Sequence, residues 1–208
     1  ANKVPRFNGQ KWPTGTIVQF KPDMSIFAKG SKLTAQMVST WLEQLSWFVY
    51  GPKRSKKDEV GTPITYQLNL AGKVSTIRRT SLAEYALTTT KKIKAEPILN
   101  KLKPFVYSSR GCDVVYYPNT SDKCSLYAAV SAVETSAGGT HVTELRRLMM
   151  DVLNTLRSKR QEFTIDDFLV GSVVVCNAKM TDAAFAGRSK ERLTSKMTTQ
   201  FDGFKEAF

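Results

Sequence analysis

Apolar residues recur every three to four positions through Leu33, Met37, Val38, Trp41, Leu42, Leu45 and Phe48. That is the spacing of one helix face turned toward a core, with Ser31 or Thr34 placed to cap its start and Gly51-Pro52 to end it. A second stripe, Val142, Leu145, Met149, Val152, Leu153 and Leu156, runs for about four turns and predicts the longest helix over residues 141–158. Its other face is basic, with Arg146, Arg147, Arg157, Lys159 and Arg160. Strand patterns lie at about residues 15–21, after a Pro-Thr-Gly turn, and at 64–70, 105–107, 113–117 and 124–133. Pro118-Asn119-Thr120-Ser121-Asp122 is a strong turn signal and predicts a hairpin between the strands on either side of it. Residues 172–179 are a β-branched run with the character of a buried strand. Thr164 and Asp167 have capping-box spacing for a one-turn helix closed by Gly171. Residues 80–96 are ambiguous: Ser81 can cap a short helix through Leu82, Tyr85 and Ala86, while three consecutive threonines, 88–90, weaken it. Residues 53–60 read as an exposed basic loop, and residues 197–208 as a mixed tail.

A length of 208 residues with 41% hydrophobic and 10% aromatic content suits one sizeable core or two small ones. Charge changes the picture more. The 31 Lys and Arg against 18 Asp and Glu leave +13, enough for a positive field over much of the surface. A polyanion is the matching partner, and nucleic acid fits better than a membrane because the charge is spread along the whole chain. No stretch has the length of a membrane span, and no apolar signal-peptide core opens the chain, so an intracellular, cytoplasmic protein is expected. Cys112, Cys124 and Cys176 lack CxxC spacing, which argues against a zinc site or a disulfide framework and for reduced, buried thiols.

Candidate chemistry is sparse. His141 is the only histidine, and its place after Gly138-Gly139-Thr140 at a helix start points to a structural bridge rather than a catalytic base. Neither GxxxxGK[ST] nor GxGxxG occurs, and metal-ligand spacing is missing. Lys190, in the turn Gly187-Arg188-Ser189-Lys190, is placed to reach a phosphate as a point charge; a solvated lysine is the alternative.

Four stretches, in order, resemble the large ATPase component of type IIA DNA topoisomerases, the group of gyrase, topoisomerase IV and the phage and eukaryotic enzymes: TGTIVQFKPD (14–23), LEQLSWFVYG (42–51), SAGGTHVTELRRLMMDVLN (136–154) and GSVVVCNAKMTDAAFAGRSKERLTS (171–195). The resemblance implies an α/β (α+β) transducer domain of the ribosomal-protein-S5 domain 2-like type, a four-stranded sheet with packed helices, over residues 24–196. Residues 1–23 would close a GHKL-type ATPase domain, and 197–208 would be a tail or the start of a linker. It also implies roles. Lys190 falls on the family's QTK-loop lysine, the sensor of the ATP γ-phosphate; Thr16 falls on the second threonine of TGT beside the adenine pocket; His141 falls on the structural GGTH turn. Arg188 stands where the family has glutamine, so a guanidinium replaces an amide toward phosphate.

The expected function is therefore coupling of ATP binding and hydrolysis to passage of a DNA duplex through a basic cavity. ATP and Mg²⁺ would be cofactors of the intact subunit and not of this chain alone, since the nucleotide-binding motifs that precede TGT in the family are absent; the chain is expected to be a fragment or one piece of a split subunit, without activity of its own. Implied partners are double-stranded DNA, a second ATPase subunit in a homodimer, and the DNA-cleavage subunit or domain. Lys53, Arg54, Lys56, Lys57, Arg146, Arg147, Arg157 and Arg160 are the candidate phosphate contacts. The alternatives are a stand-alone nucleic-acid-binding module with a transducer-like fold and another GHKL member such as a mismatch-repair ATPase; the GGTH turn favours the topoisomerase branch.

Overall fold

The computed structural model describes residues 6–7, 10–11, 18, 23–51, 62–70, 73–78, 81–156, 162–197 and 199–208. Residues 1–35 and 36–208 form separate compact units. In the first, β1 (Arg6–Phe7) pairs antiparallel with β2 (Gln10–Lys11), and a 3-10 turn at Met24–Ile26 is capped by Asp23, whose carboxylate accepts from Ser25 N at 2.9 Å. The strand expected at 15–21 lies outside the described residues, except for Val18.

All but the first residue of α1 (Ala35–Phe48) belongs to the second unit; the helix starts after Thr34 as its sequence allows. Only its last turn is buried, through Ser46, Trp47 and Phe48. Met37 and Trp41, both expected to face the core, are each 58% exposed, and Leu33 is 42% exposed. The periodicity was sufficient to make a helix, but the sheet receives only the end of it. Gly51 does not terminate the helix either: Tyr50–Gly51 (β3) pairs with Thr62–Pro63 (β4). Tyr66–Leu70 (β5) follows as expected and forms a hairpin with Lys73–Ile77 (β6).

The ambiguous stretch is a helix, α2 (Leu82–Lys92), with Ser81 accepting from Glu84 N at 3.1 Å. Its threonines are tolerated because burial outweighs their weak propensity: Leu82 and Ala86 are fully buried, and the buried Thr90 hydroxyl donates to the Ala86 carbonyl at 2.9 Å.

The main sheet contains β7 (Phe105–Ser108), β8 (Cys112–Pro118), β9 (Cys124–Val130), β10 (Val133–Glu134) and β11 (Ser172–Ala178) in the order β10-β9-β11-β8-β7. It therefore has five strands, four long ones and the two-residue β10. Here the hairpin expectation fails. β8 and β9 are not neighbours, because β11 lies between them, antiparallel to β8 and parallel to β9. The reason is burial: every residue of β11 is buried, so its backbone needs a partner on both edges and its β-branched side chains need cover on both faces. A parallel pair requires a crossover. It is supplied by α3 (Thr140–Leu156), the longest helix, and α4 (Ile165–Leu169). The capping box that starts α4 is complete, with Asp167 N donating to Thr164 Oγ1 at 3.2 Å and Thr164 N to Asp167 Oδ2 at 2.7 Å.

Alternation along the strands sends side chains to two cores. On one face Val115, Tyr117, Ala129, Val173 and Val175 pack with Trp47, Phe48, Leu82 and Ala86; Phe48 stacks on Tyr127 with ring centroids 4.3 Å apart. On the other, Cys112, Val114, Val174 and Cys176 meet Leu145, Leu148 and Met149 of α3, together with Leu169, Phe201 and Phe204. The last two stand in the stretch expected as a tail, where α5 (Phe204–Ala207) forms and the Tyr107 hydroxyl donates to the Asp202 carbonyl.

Candidate functional site

Residues 183–195 leave the end of β11 and fold back on themselves. Phe185 bridges Leu193, Ala186 N donates to Arg192 O at 2.9 Å, and Ala184 N donates to Ser195 Oγ at 2.7 Å. Leu193 is the anchor, 1% exposed and packed with Val130 and Ala178. The tip, residues 187–190, is exposed.

The stem of this loop is sewn to the turn that starts α3. Leu193 N donates to Gly138 O and Thr140 N to Leu193 O, each at 3.1 Å, while Ala137 N donates to Glu191 O at 3.0 Å. Thr140 Oγ1 adds a bond to Ser195 O at 2.5 Å. The two backbones approach so closely that a Cβ on Gly139 would sit 2.4 Å from the Leu193 carbonyl oxygen; Gly139 also holds φ +135°, so only glycine fits twice over. The two motifs that carry chemistry in the sequence, far apart along the chain, are one structure.

His141 lies under this junction and is fully buried. Its Nε2 is 3.1 Å from Thr135 Oγ1, and its Nδ1 has no hydrogen-bond partner among the described residues. Burial lowers its pKa to about 4, so the ring is neutral at pH 7 and serves as a packed bridge. Lys190 occupies the tip in the left-handed region, φ +58°, and its Nζ lies 5.9 Å from the centroid of the Phe185 ring, at the edge of cation–π range. Lys190 and Arg188 are both exposed, and neither has a carboxylate in ion-pair range among the described residues. They suit contact with a phosphate brought from outside; by themselves they form no cradle for a nucleotide.

The basic face of α3 is a different case. Arg146 pairs with Asp166 at 2.7 Å, and Arg147 with Glu144 at 2.6 Å and Asp151 at 2.7 Å. These guanidinium groups are already neutralised. Lys53, Arg54, Lys56, Lys57, Arg157, Arg160 and Thr16 lie outside the described residues. The three thiols do not share one environment: Cys112 and Cys176 are buried, the former pushed up to about 12 by desolvation, whereas Cys124 is exposed at the start of β9 beside the turn. Among the described residues, no group of three or more His, Cys, Asp or Glu could hold a metal ion, and no helix is long and apolar enough to cross a membrane.

A polar cluster escaped the sequence. Asp113, fully buried, accepts from Lys179 Nζ at 2.6 Å, Ser108 Oγ at 2.7 Å and Asn177 Nδ2 at 3.2 Å, and Lys179 Nζ also donates to Ser109 O at 3.0 Å. It ties β7, β8 and β11 together just before the loop departs. An acidic residue at a strand start reads locally as a turn, so no sequence signal marked it.

Similarity to known proteins is consistent along the chain. The DNA gyrase B family model matches residues 76–203. The DNA gyrase B protein of Cytophaga aurantiaca is 27% identical over 206 residues, covering 91% of this chain and 41% of the relative. The B protein of DNA topoisomerase 4 from Haemophilus influenzae is 26% identical over 209 residues, covering 94% of this chain and 31% of the relative. The chain thus spans less than half the length of these two relatives. In fold it is similar to DNA gyrase B from Myxococcus xanthus, with TM-score 0.64 at 19% identity, covering 94% of this chain and 55% of that one. The topoisomerase IV ATP-binding domain of Francisella tularensis gives TM-score 0.61 at 22% identity, covering 89% and 49%. With more than half of its residues inside the family model and a matching fold, the chain belongs to the DNA gyrase B family.

Proposed function

We propose that this chain is the transducer portion of an ATP-dependent type IIA DNA topoisomerase, relaying the state of a nucleotide bound on an adjoining ATPase domain to the passage of a DNA duplex. The observation that carries this reading is the backbone ladder between Leu193 and Gly138–Thr140. A displacement of the loop tip cannot be absorbed at its stem, because Leu193 is buried and bonded on both sides; it is passed to the first turn of α3, which packs on the sheet through Leu145, Leu148 and Met149. Lys190 is the sensing group and Arg188 its neighbour toward the phosphate. ATP with Mg²⁺, held by the ATPase domain, supplies the γ-phosphate whose presence Lys190 reports. Lys190 has two arrangements available, on the phosphate or on the Phe185 ring, and the free-energy difference between them biases the angle of the loop.

On this reading residues 1–23 end the ATPase domain and residues 24–196 are transducer. The partners are double-stranded DNA, a second copy of the subunit, and the DNA-cleavage subunit or domain, in the cytoplasm. The +13 charge supports duplex contact without base readout. In the intact subunit, Lys190→Ala is expected to abolish ATP-coupled strand passage while leaving the unfolding free energy within about 0.5 kcal/mol of the parent; strand passage at the parent rate would remove the sensor role.

A further inference from the structure

Resting on the DNA-passage reading above, we propose that residues 91–103 are a lysine rail that binds the phosphate backbone of duplex DNA without reading its sequence. The segment KKIKAEPILNKLK carries Lys91, Lys92, Lys94, Lys101 and Lys103, all exposed, against the single carboxylate of Glu96.

Three observations carry the inference. First, among the described residues no ion pair involves these lysines; the ion pairs found there use Arg146, Arg147, Lys179 and Lys205. An ammonium with no carboxylate partner is available to a phosphate, and releasing its counterion drives association, whereas Arg146 and Arg147 must first lose their acidic neighbours. Second, the rail is held by its backbone and leaves its side chains free. Thr120 N donates to Glu96 O at 2.8 Å and Glu96 N to Thr120 Oγ1 at 2.9 Å, Pro97 bridges Asn119, and Leu102 packs into the core beside α2. Lys123, also exposed, follows three residues after Thr120. Lys94 and Lys101 stand in the left-handed region at φ 57° and 66°. Third, the chemistry suits a duplex backbone. The cations are all lysines, point charges without the bidentate fork that reads guanine edges, and residues 91–103 contain no aromatic ring on which an unpaired base could stack.

A partner protein is the competing occupant, because Ile98 and Leu99 are 56% and 63% exposed within the rail. The charge imbalance favours DNA. The test is binding of a mixed-sequence duplex by the 208-residue chain across a salt series, compared with a variant carrying Lys91→Gln and the same change at Lys92, Lys94, Lys101 and Lys103. Each lost phosphate contact flattens the slope of log affinity against log salt by about 0.9, so the expected flattening is about 2 or more. A charge-keeping variant with arginine at the same five positions is expected to retain the parental slope, which guards against misfolding as the cause. Arg146→Gln with Arg147→Gln is expected to change the slope by less than about 0.9. A steep parental slope that the glutamine variant leaves unchanged would overturn the rail, assign the segment to a protein partner, and leave the DNA-passage reading standing. Failure of the parent chain to bind duplex at any salt would overturn both.

Discussion

The stem and the tip of the loop over residues 183–195 are separated by a few residues and differ in every physical respect. At the stem, Leu193 is buried, hydrogen-bonded to Gly138 and Thr140, and so close to Gly139 that no side chain fits between them. At the tip, Gly187 has φ +124° with nothing within 4 Å of its Cβ position, and Arg188 and Lys190 are exposed. A sensor needs both: a tip with few competing contacts, so that a weak external contact decides its position, and a stem too well packed to absorb the displacement.

The sharpest way to break this contrast is Gly139→Ala. The new methyl meets backbone atoms on a buried strand-like segment that cannot move aside, and the φ is unfavourable as well; we expect a loss of about 4 kcal/mol in urea unfolding, or failure to fold. A loss under about 1 kcal/mol would mean that the stem is loose and the relay unsupported. The next effect comes from acid. His141 beneath the stem has an ordinary imidazole value of 6.5 in the unfolded chain and about 4 when folded. Between those values the unfolded state binds more protons, so its contribution to stability is full above pH 6.5 and is lost as pH falls, by about 3 kcal/mol near pH 4. His141→Gln is expected to remove that part of the pH dependence, leaving only the carboxylates to titrate; identical pH profiles would show that His141 is not buried under the ladder. The smallest effect sharpens the comparison: Gly187→Ala carries similar φ strain but meets open space, so about 1 kcal/mol is expected from the same unfolding measurement. Equal losses at 139 and 187 would erase the distinction between stem and tip.

Much of the architecture was legible because it is local. The β-branched run 172–179 became a strand buried along its whole length, the stripe from Val142 to Leu156 became the longest helix, and Thr164 with Asp167 closed a capping box. Errors arose where a local signal depended on a distant neighbour. Pro118–Asp122 is a good turn, but whether the strands it joins pair with each other depends on a third strand far along the chain; β11, apolar on both faces, gains more by entering between them than by lying at an edge. The α1 stripe was a correct helix pattern whose first half the sheet does not reach.

The candidate site divides in the same way. Residue type at Gly139, His141 and Lys190 was enough to single these positions out, since glycine pairs, a lone histidine and a lysine in a glycine turn each limit the chemistry open to them. Nothing along the chain said that Gly139 and Leu193 touch, that Asp113 and Lys179 pair inside the sheet, or that the α3 arginines are neutralised while the lysines of 91–103 are not. The sequence by itself determined most of the longer helices and strands and which residues carry charge, because periodicity and side-chain chemistry are properties of neighbours in the chain. Only the tertiary structure decided which charges stay free and which backbones meet, because hydrogen bonds, ion pairs and van der Waals contact act over a few ångströms in space, whatever the distance in sequence.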